Sequence, residues 1–170
     1  MERELIQMKI CKRLPGTVNT LQFVSNWFDD YYIRAAMDER FLSNHYVIFM
    51  LMNGILLGEV QVFGVFDVKE DKAEDFLGFC FGWMREDQYF EVHFAFDRGV
   101  DTMECARLCL SEAIVQNPDM KGVVGYIPDR NRAARMFAKR FGCRDNGIQQ
   151  DKLFLKNGMA YSCREFRIEV

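Results

Sequence analysis

Residues Gly122–Cys143 read GVVGYIPDRNRAARMFAKRFGC. Val123–Val124–Gly125–Tyr126–Ile127 is a short apolar segment of β-branched and aromatic residues bounded by Gly and Pro, which predicts a strand. After a turn at Pro128–Asp129, Ala134, Phe137 and Phe141 fall at i, i+3 and i+7, the spacing of one helical face. Asp129 is placed to cap the helix start, where backbone N–H groups lack partners. Gly142 follows the last apolar position and can take the left-handed conformation that ends a helix. The stretch is a strand–turn–helix unit with both ends marked.

Outward from this unit, the chain of 170 residues has the size of one domain, residues 1–170, with enough chain to bury a core. The formal net charge of −3 provides no broad basic surface, so a nucleic-acid partner is not expected. The start, MERELIQMKI, lacks a basic-then-apolar leader pattern, and no apolar run reaches membrane-spanning length. A cytoplasmic protein without a membrane partner is the expectation. The six cysteines form no CxxC pair, and several sit within apolar patterns as small hydrophobes. Cys105 and Cys109 lie one helical turn apart, but two thiols in a chain with two histidines make a poor zinc site, so no metal is expected.

Glu4–Arg13 alternates as a first strand, and Pro15–Gly16 ends it. Thr17 can cap a helix carrying Leu21, Val24, Phe28 and Tyr31 along one stripe. Glu39–Asn44 is a connection. The apolar run Tyr46–Met52 reads as a strand, with Asn53–Gly54 as a hairpin turn and Leu56–Val68 as the return strand. The charged Lys69–Asp75 is a solvated loop. Phe76–Arg85 and Gln88–Phe96 are further strands. A helix follows from Thr102 to Gln116, with Met103, Ala106, Leu110 and Ala113 as its apolar face, closed by Asn117–Pro118. The end of the chain is a hairpin with arms at Lys152–Leu155 and Ser162–Ile168 and a turn near Asn157–Gly158.

Asn131, Ala134, Phe137 and Phe141–Gly142–Cys143 stand at the spacing N-x-x-A-x-x-[apolar]-x-x-x-[apolar]-G-[F/C]. That signature resembles the GCN5-related N-acetyltransferase (GNAT) superfamily, and the order of elements extends the resemblance to nearly the whole chain. The resemblance implies an α/β (α+β) GNAT fold, with a mixed, mostly antiparallel sheet flanked by about four helices. Two strands would splay to form an acyl-CoA cleft, and acetyl-CoA would be the cofactor. By the same resemblance, the backbone of Phe94, Ala95 and Phe96 would hold the thioester. The loop Arg98, Gly99, Val100, Asp101 and Thr102 would hold the pyrophosphate through its amides. Asn131, Arg132, Ala134 and Phe137 of the signature helix complete the cofactor set. Two departures stand out. The family loop [Q/R]-x-x-G-x-[G/A] keeps only one glycine here, among Asp97, Asp101 and Glu104. The tyrosine often found seven residues after the Asn, which protonates the departing thiolate, is Ala138.

Acetyl transfer to an amine needs a positioned thioester, a stabilised oxyanion and an amine relieved of its proton. Along Gln88–Phe96, alternation puts Tyr89, Glu91, His93 and Ala95 on one face and Phe90, Val92, Phe94 and Phe96 on a core face. Glu91 or His93 is the candidate base. Tyr126 is the candidate replacement for the missing tyrosine. Two functions follow: an N-acetyltransferase acting on an amine of a protein or small molecule, or a non-catalytic GNAT-fold protein working through protein contacts. The strand QYFEVHFAF and the divergent loop also resemble GNAT-like proteins encoded by tailed bacteriophages, some of them described as head-assembly or virion-associated proteins. That likeness implies a phage or host protein as partner, in the host cytoplasm or the virion, and leaves room for a homodimer.

Overall fold

The structure is a computed structural model that describes residues 8–30, 37–68 and 75–170. Seven strands form one sheet: β1 Met8–Leu14, β2 Gln61–Val68, β3 Asp75–Met84, β4 Tyr89–Phe96, β5 Gly122–Pro128, β6 Arg144–Lys156 and β7 Met159–Glu169. Their order is β1-β2-β3-β4-β5-β7-β6. Every neighbouring pair is antiparallel except β4–β5, which is parallel. Among the described residues four helices of ten or more residues flank the sheet: α1 Val18–Phe28, α3 His45–Leu57, α4 Thr102–Gln116 and α5 Arg132–Phe141. A single turn, α2 Arg40–Ser43, precedes α3.

The central strands bury both faces. Val62, Phe79, Phe81 and Ala95 meet Val24 and Phe28 of α1 and Leu51 and Ile55 of α3. On the other face Phe63, Val65, Cys80, Phe90 and Phe96 meet Cys105, Ala106, Cys109 and Ala113 of α4. The inward stripe of α4 is therefore turned toward its cysteines, and the expected Met103 and Leu110 are only partly buried. Small thiols allow the helix to approach the Phe-rich strands closely, which longer side chains in those places would prevent.

The segment expected as a hairpin is α3. Asn44 Oδ1 accepts from the amides of Tyr46 (3.0 Å) and Val47 (3.3 Å), which starts a helix before the apolar run. Asn53–Gly54 lies inside that helix. A Cβ on Gly54 would stand 2.6 Å from Val60 Cγ2, so this glycine serves close packing and not a turn. The stop comes at Gly58, at φ 77°. An unbroken apolar run has neither period, so the same residues fit strand or helix until length and capping decide.

The quoted strand–turn–helix unit is present, with one change of cap. Asn131 Oδ1, not Asp129, accepts from the Ala134 amide at 3.1 Å. The Asp129 carboxylate instead accepts from Arg164 of β7. Gly142 closes α5 at φ 104°. The closing hairpin is longer than the expected arms and turns at Asn157–Gly158, both at positive φ. Tyr31 and most of the Lys69–Asp75 loop lie outside the described residues.

Candidate active site

β4 and β5 pair at only three positions: Tyr89↔Gly122, Phe90↔Val123 and Glu91↔Val124. β4 then runs on beside β3 to Phe96, while β5 stays with β7 to Pro128. From Val92 onward, alternate amides on the β5 side of β4 have no strand to bond. The gap opens into a cleft of about 860 Å³ lined from both strands and by α5. Phe94, expected in the core, is 37% exposed. The separation of the strands removes its cover, and its ring faces Phe137 at 6.4 Å.

At the far end of β4 the loop Asp97–Asp101 leads into α4. Gly99 has φ 79° and open space around it. Among the described residues no acceptor takes the amides of Gly99, Thr102 or Met103. The nearby carboxylates are engaged locally. Asp101 caps α4 through the Glu104 amide (3.0 Å), Glu104 pairs with Lys9 (2.5 Å), and Asp97 accepts from the Arg98 amide (2.7 Å). Each carboxylate that the sequence places beside this loop is thus engaged, Asp101 at the helix start, Asp97 within the loop and Glu104 with Lys9.

On the opposite side of the sheet, Glu91, His93 and Tyr126 all line the cleft. Glu91 is 7% exposed. Burial pushes its carboxyl upward, against the pull of Lys152 and Arg85. His93 lies among Phe81 (ring centroids 5.0 Å), Trp83 (5.2 Å) and Phe41 (5.4 Å). Burial brings the imidazole down to about 4, so it is neutral at physiological pH. Its Nε2 is buried without a hydrogen-bond partner among the described residues and stands 3.9 Å from Glu91 Oε1. The Tyr126 hydroxyl accepts from Arg85 and donates to Glu165 at 3.2 Å. Burial raises this phenol while Arg85 lowers it, with a net upward shift. Glu165 is fixed in turn by Arg167 (2.6 Å) and Asn146 (2.8 Å).

No protein-family model matches the chain, and no curated protein matches its sequence. Solved structures match it closely in shape. Spermidine N-acetyltransferase from Vibrio cholerae, in complex with CoA and spermine, aligns at a TM-score of 0.68 with 14% identity, over 94% of this chain and 95% of that one. The chain has the GNAT fold. The acetyltransferase from Salmonella typhimurium that modifies the N-terminal serine of ribosomal protein L7/L12 aligns at 0.65 with 10% identity, over 95% of both chains. The microcin C7 self-immunity acetyltransferase MccE, in complex with acetyl-CoA and AMP, aligns at 0.65 with 13% identity, over 95% of this chain and 93% of that one.

Within this GNAT frame the expected site residues divide. Phe94, Ala95, Phe96, Thr102, Asn131, Ala134 and Phe137 line the cleft together with the three candidate catalytic residues. Arg98, Gly99, Val100, Asp101 and Arg132 are not on its wall; the first four form the loop at its end, and Arg132 is exposed. Ala138, seven residues after Asn131, also lines the cleft.

No motif or spacing pointed to Asp38, Arg40, Phe41, Trp83 or Lys152, which wall the other end. Asp38 and its neighbours strap that end to β6. Asp38 Oδ2 accepts from the Leu155 amide (2.9 Å), the Glu39 amide donates to the Leu155 carbonyl (3.0 Å), and Arg40 donates to the Leu153 carbonyl. More than a hundred residues separate these partners, so only the Asp38-x-Arg40 spacing was visible, and it resembles any local ion pair.

Proposed function

We propose that this chain is an N-acetyltransferase that binds acetyl-CoA between β4 and β5 and acetylates a primary amine. The observation that carries the reading is the parting of β4 from β5 directly after Glu91, which opens the cleft beside a buried carboxylate. The residues present fit the cofactor. The free amides of Gly99, Thr102 and Met103 at the start of α4 suit a pyrophosphate, and positive φ at Gly99 turns the loop toward them. The cleft face of α5 offers Ala134, Phe137 and Ala138 to an uncharged chain. When bound, acetyl-CoA supplies the acetyl group as an activated thioester.

This chain's own groups supply the proton handling. Glu91, raised by burial, takes the ammonium proton of the acceptor, and its carboxyl is better matched to that task than an ordinary surface carboxylate. His93, at about 4, is too weak a base for an ammonium and instead forms the neutral wall beside Glu91. Unbonded amides along Phe94–Phe96 are the donors toward the carbonyl oxygen. Tyr126 is the only tyrosine on the cleft wall among the described residues, and supplies the proton that Ala138 cannot. Arg85, bonded to its oxygen, stabilises the phenolate left behind.

The test is release of free CoA thiol from acetyl-CoA in the presence of polyamines, amino acids and short peptides. Glu91→Gln should lower kcat/KM by about 10²–10⁴-fold, and Tyr126→Phe should lower it by roughly tenfold. Wild-type release no faster than the buffer rate across all amines would favour the second reading, a GNAT-fold protein acting through protein contacts. Ala138 is the feature that supports that reading. A phage-encoded origin rests on the resemblance of Gln88–Phe96 and belongs with either function.

A further inference from the structure

In β6, Gln149 faces Cys163 and the next paired residue, Leu153, faces Ser162, so Gln150, Asp151 and Lys152 stand out from the ladder as a bulge. A bulge bends its strand and re-aims the side chains on it. This one brings Asp151 and Lys152 onto the wall of the cleft. The strap fixes the strand just beyond, where Arg40 donates to the Leu153 carbonyl and Asp38 accepts from the Leu155 amide. Lys152 Nζ lies 4.7 Å from the centre of the Tyr126 ring. Among the described residues it donates no hydrogen bond and pairs with no carboxylate. Arg40, the other cation on the wall among the described residues, is taken by Asp38 at 3.0 and 2.8 Å. Burial raises the Glu91 carboxyl, and of the charges around it Lys152 draws it back most strongly, so the two groups share one end of the cleft. Asp151 is exposed. Phe41 and Trp83, with ring centroids 5.4 and 5.2 Å from the His93 imidazole, give that end an aromatic floor.

We infer that the acceptor is an amine that also carries a carboxylate: a free amino acid with an aromatic or large apolar side chain. The inference rests on the acetyltransferase reading above. Glu91 receives the amine, Lys152 meets the carboxylate in a charge-assisted hydrogen bond, and the aromatic floor takes the side chain. An ammonium shut away from water is costly unless an anion meets it, so a neutral acceptor that filled the cleft would leave Lys152 uncompensated. A polyamine would set a second ammonium against it. Lys152 is thus the residue that selects among amines, and the bulge is the device that places it.

The test compares release of CoA thiol from acetyl-CoA with phenylalanine, phenylalaninamide and spermidine as acceptors. The wild type should favour phenylalanine over its amide by roughly tenfold or more in kcat/KM, carried mainly by KM, although the amide holds more free amine at neutral pH. Lys152→Met should erase that preference and Lys152→Arg should keep it. A merely structural lysine would instead change both substrates alike. A wild type that takes the amide or spermidine as well as the acid, or a Lys152→Met variant that keeps the preference, would overturn the inference and leave the acetyltransferase reading standing. Release with a short peptide but with none of the three would do the same. No release with any amine would overturn both.

Discussion

His93 and Glu91 stand on one face of β4, and burial moves their protons in opposite senses. His93 falls from an ordinary 6.5 to about 4. Between those values the unfolded chain takes up a proton that the folded chain refuses, so stability should drop as the pH falls from 6.5 toward 4. With a quarter of the side chain still reached by solvent, we expect a loss on the order of 2 kcal/mol. His93→Phe should flatten that part of a melting-temperature profile; an unchanged slope would refute the assignment. Glu91 has the reverse sign. Its folded value lies above 4.5, so its contribution is present below 4.5 and is lost as the pH rises through the raised value. Glu91→Gln should remove that decline and leave the His93 slope in place. Both residues were legible from strand alternation. The aromatic surroundings and the unpartnered Nε2 of His93 were not, because Phe41 and Trp83 reach it from other elements.

Among the elements, the Met37–Arg40 strap joins the α1–α2 side of the molecule to β6 across one end of the cleft. Asp38 is its anchor, buried, with its carboxylate held below the ordinary range by Arg40 and the Leu155 amide despite its burial. Asp38→Ala leaves that amide and the Arg40 guanidinium without their acceptor, at about 2 kcal/mol. The melting temperature should fall by about 4–8 °C, and hydrogen exchange should rise at Leu155. Unchanged exchange there would mean that the strap holds by other contacts. The contrast between α5 and α3 shows where sequence reading of elements succeeds. In α5, polar residues alternate with Ala134, Phe137 and Phe141 and give the helical period directly. In α3 the outward face is as apolar as the inward one, and no period remains to read. An Asn–Gly pair then imitated a turn while serving as a packing site inside the helix.

Over the whole molecule, the GNAT arrangement was legible because its signature is local: strand, turn, capped helix and terminal glycine within one stretch. The parting of β4 from β5 is not local. Beyond Val124 β5 keeps to β7 while β4 keeps to β3, and no spacing in either strand records where pairing ends. The loop before α4 shows the limit from the other side. Its sequence reads as hostile to phosphate, yet Lys9 of β1 pairs with Glu104 and the α4 cap occupies Asp101. Calorimetric titration with acetyl-CoA, with Arg98→Glu run beside the wild type, reads cofactor binding at that loop. The wild type should give saturable 1:1 heat at micromolar affinity, and the variant should bind at least tenfold more weakly. No heat and no thermal shift at millimolar acetyl-CoA would contradict it.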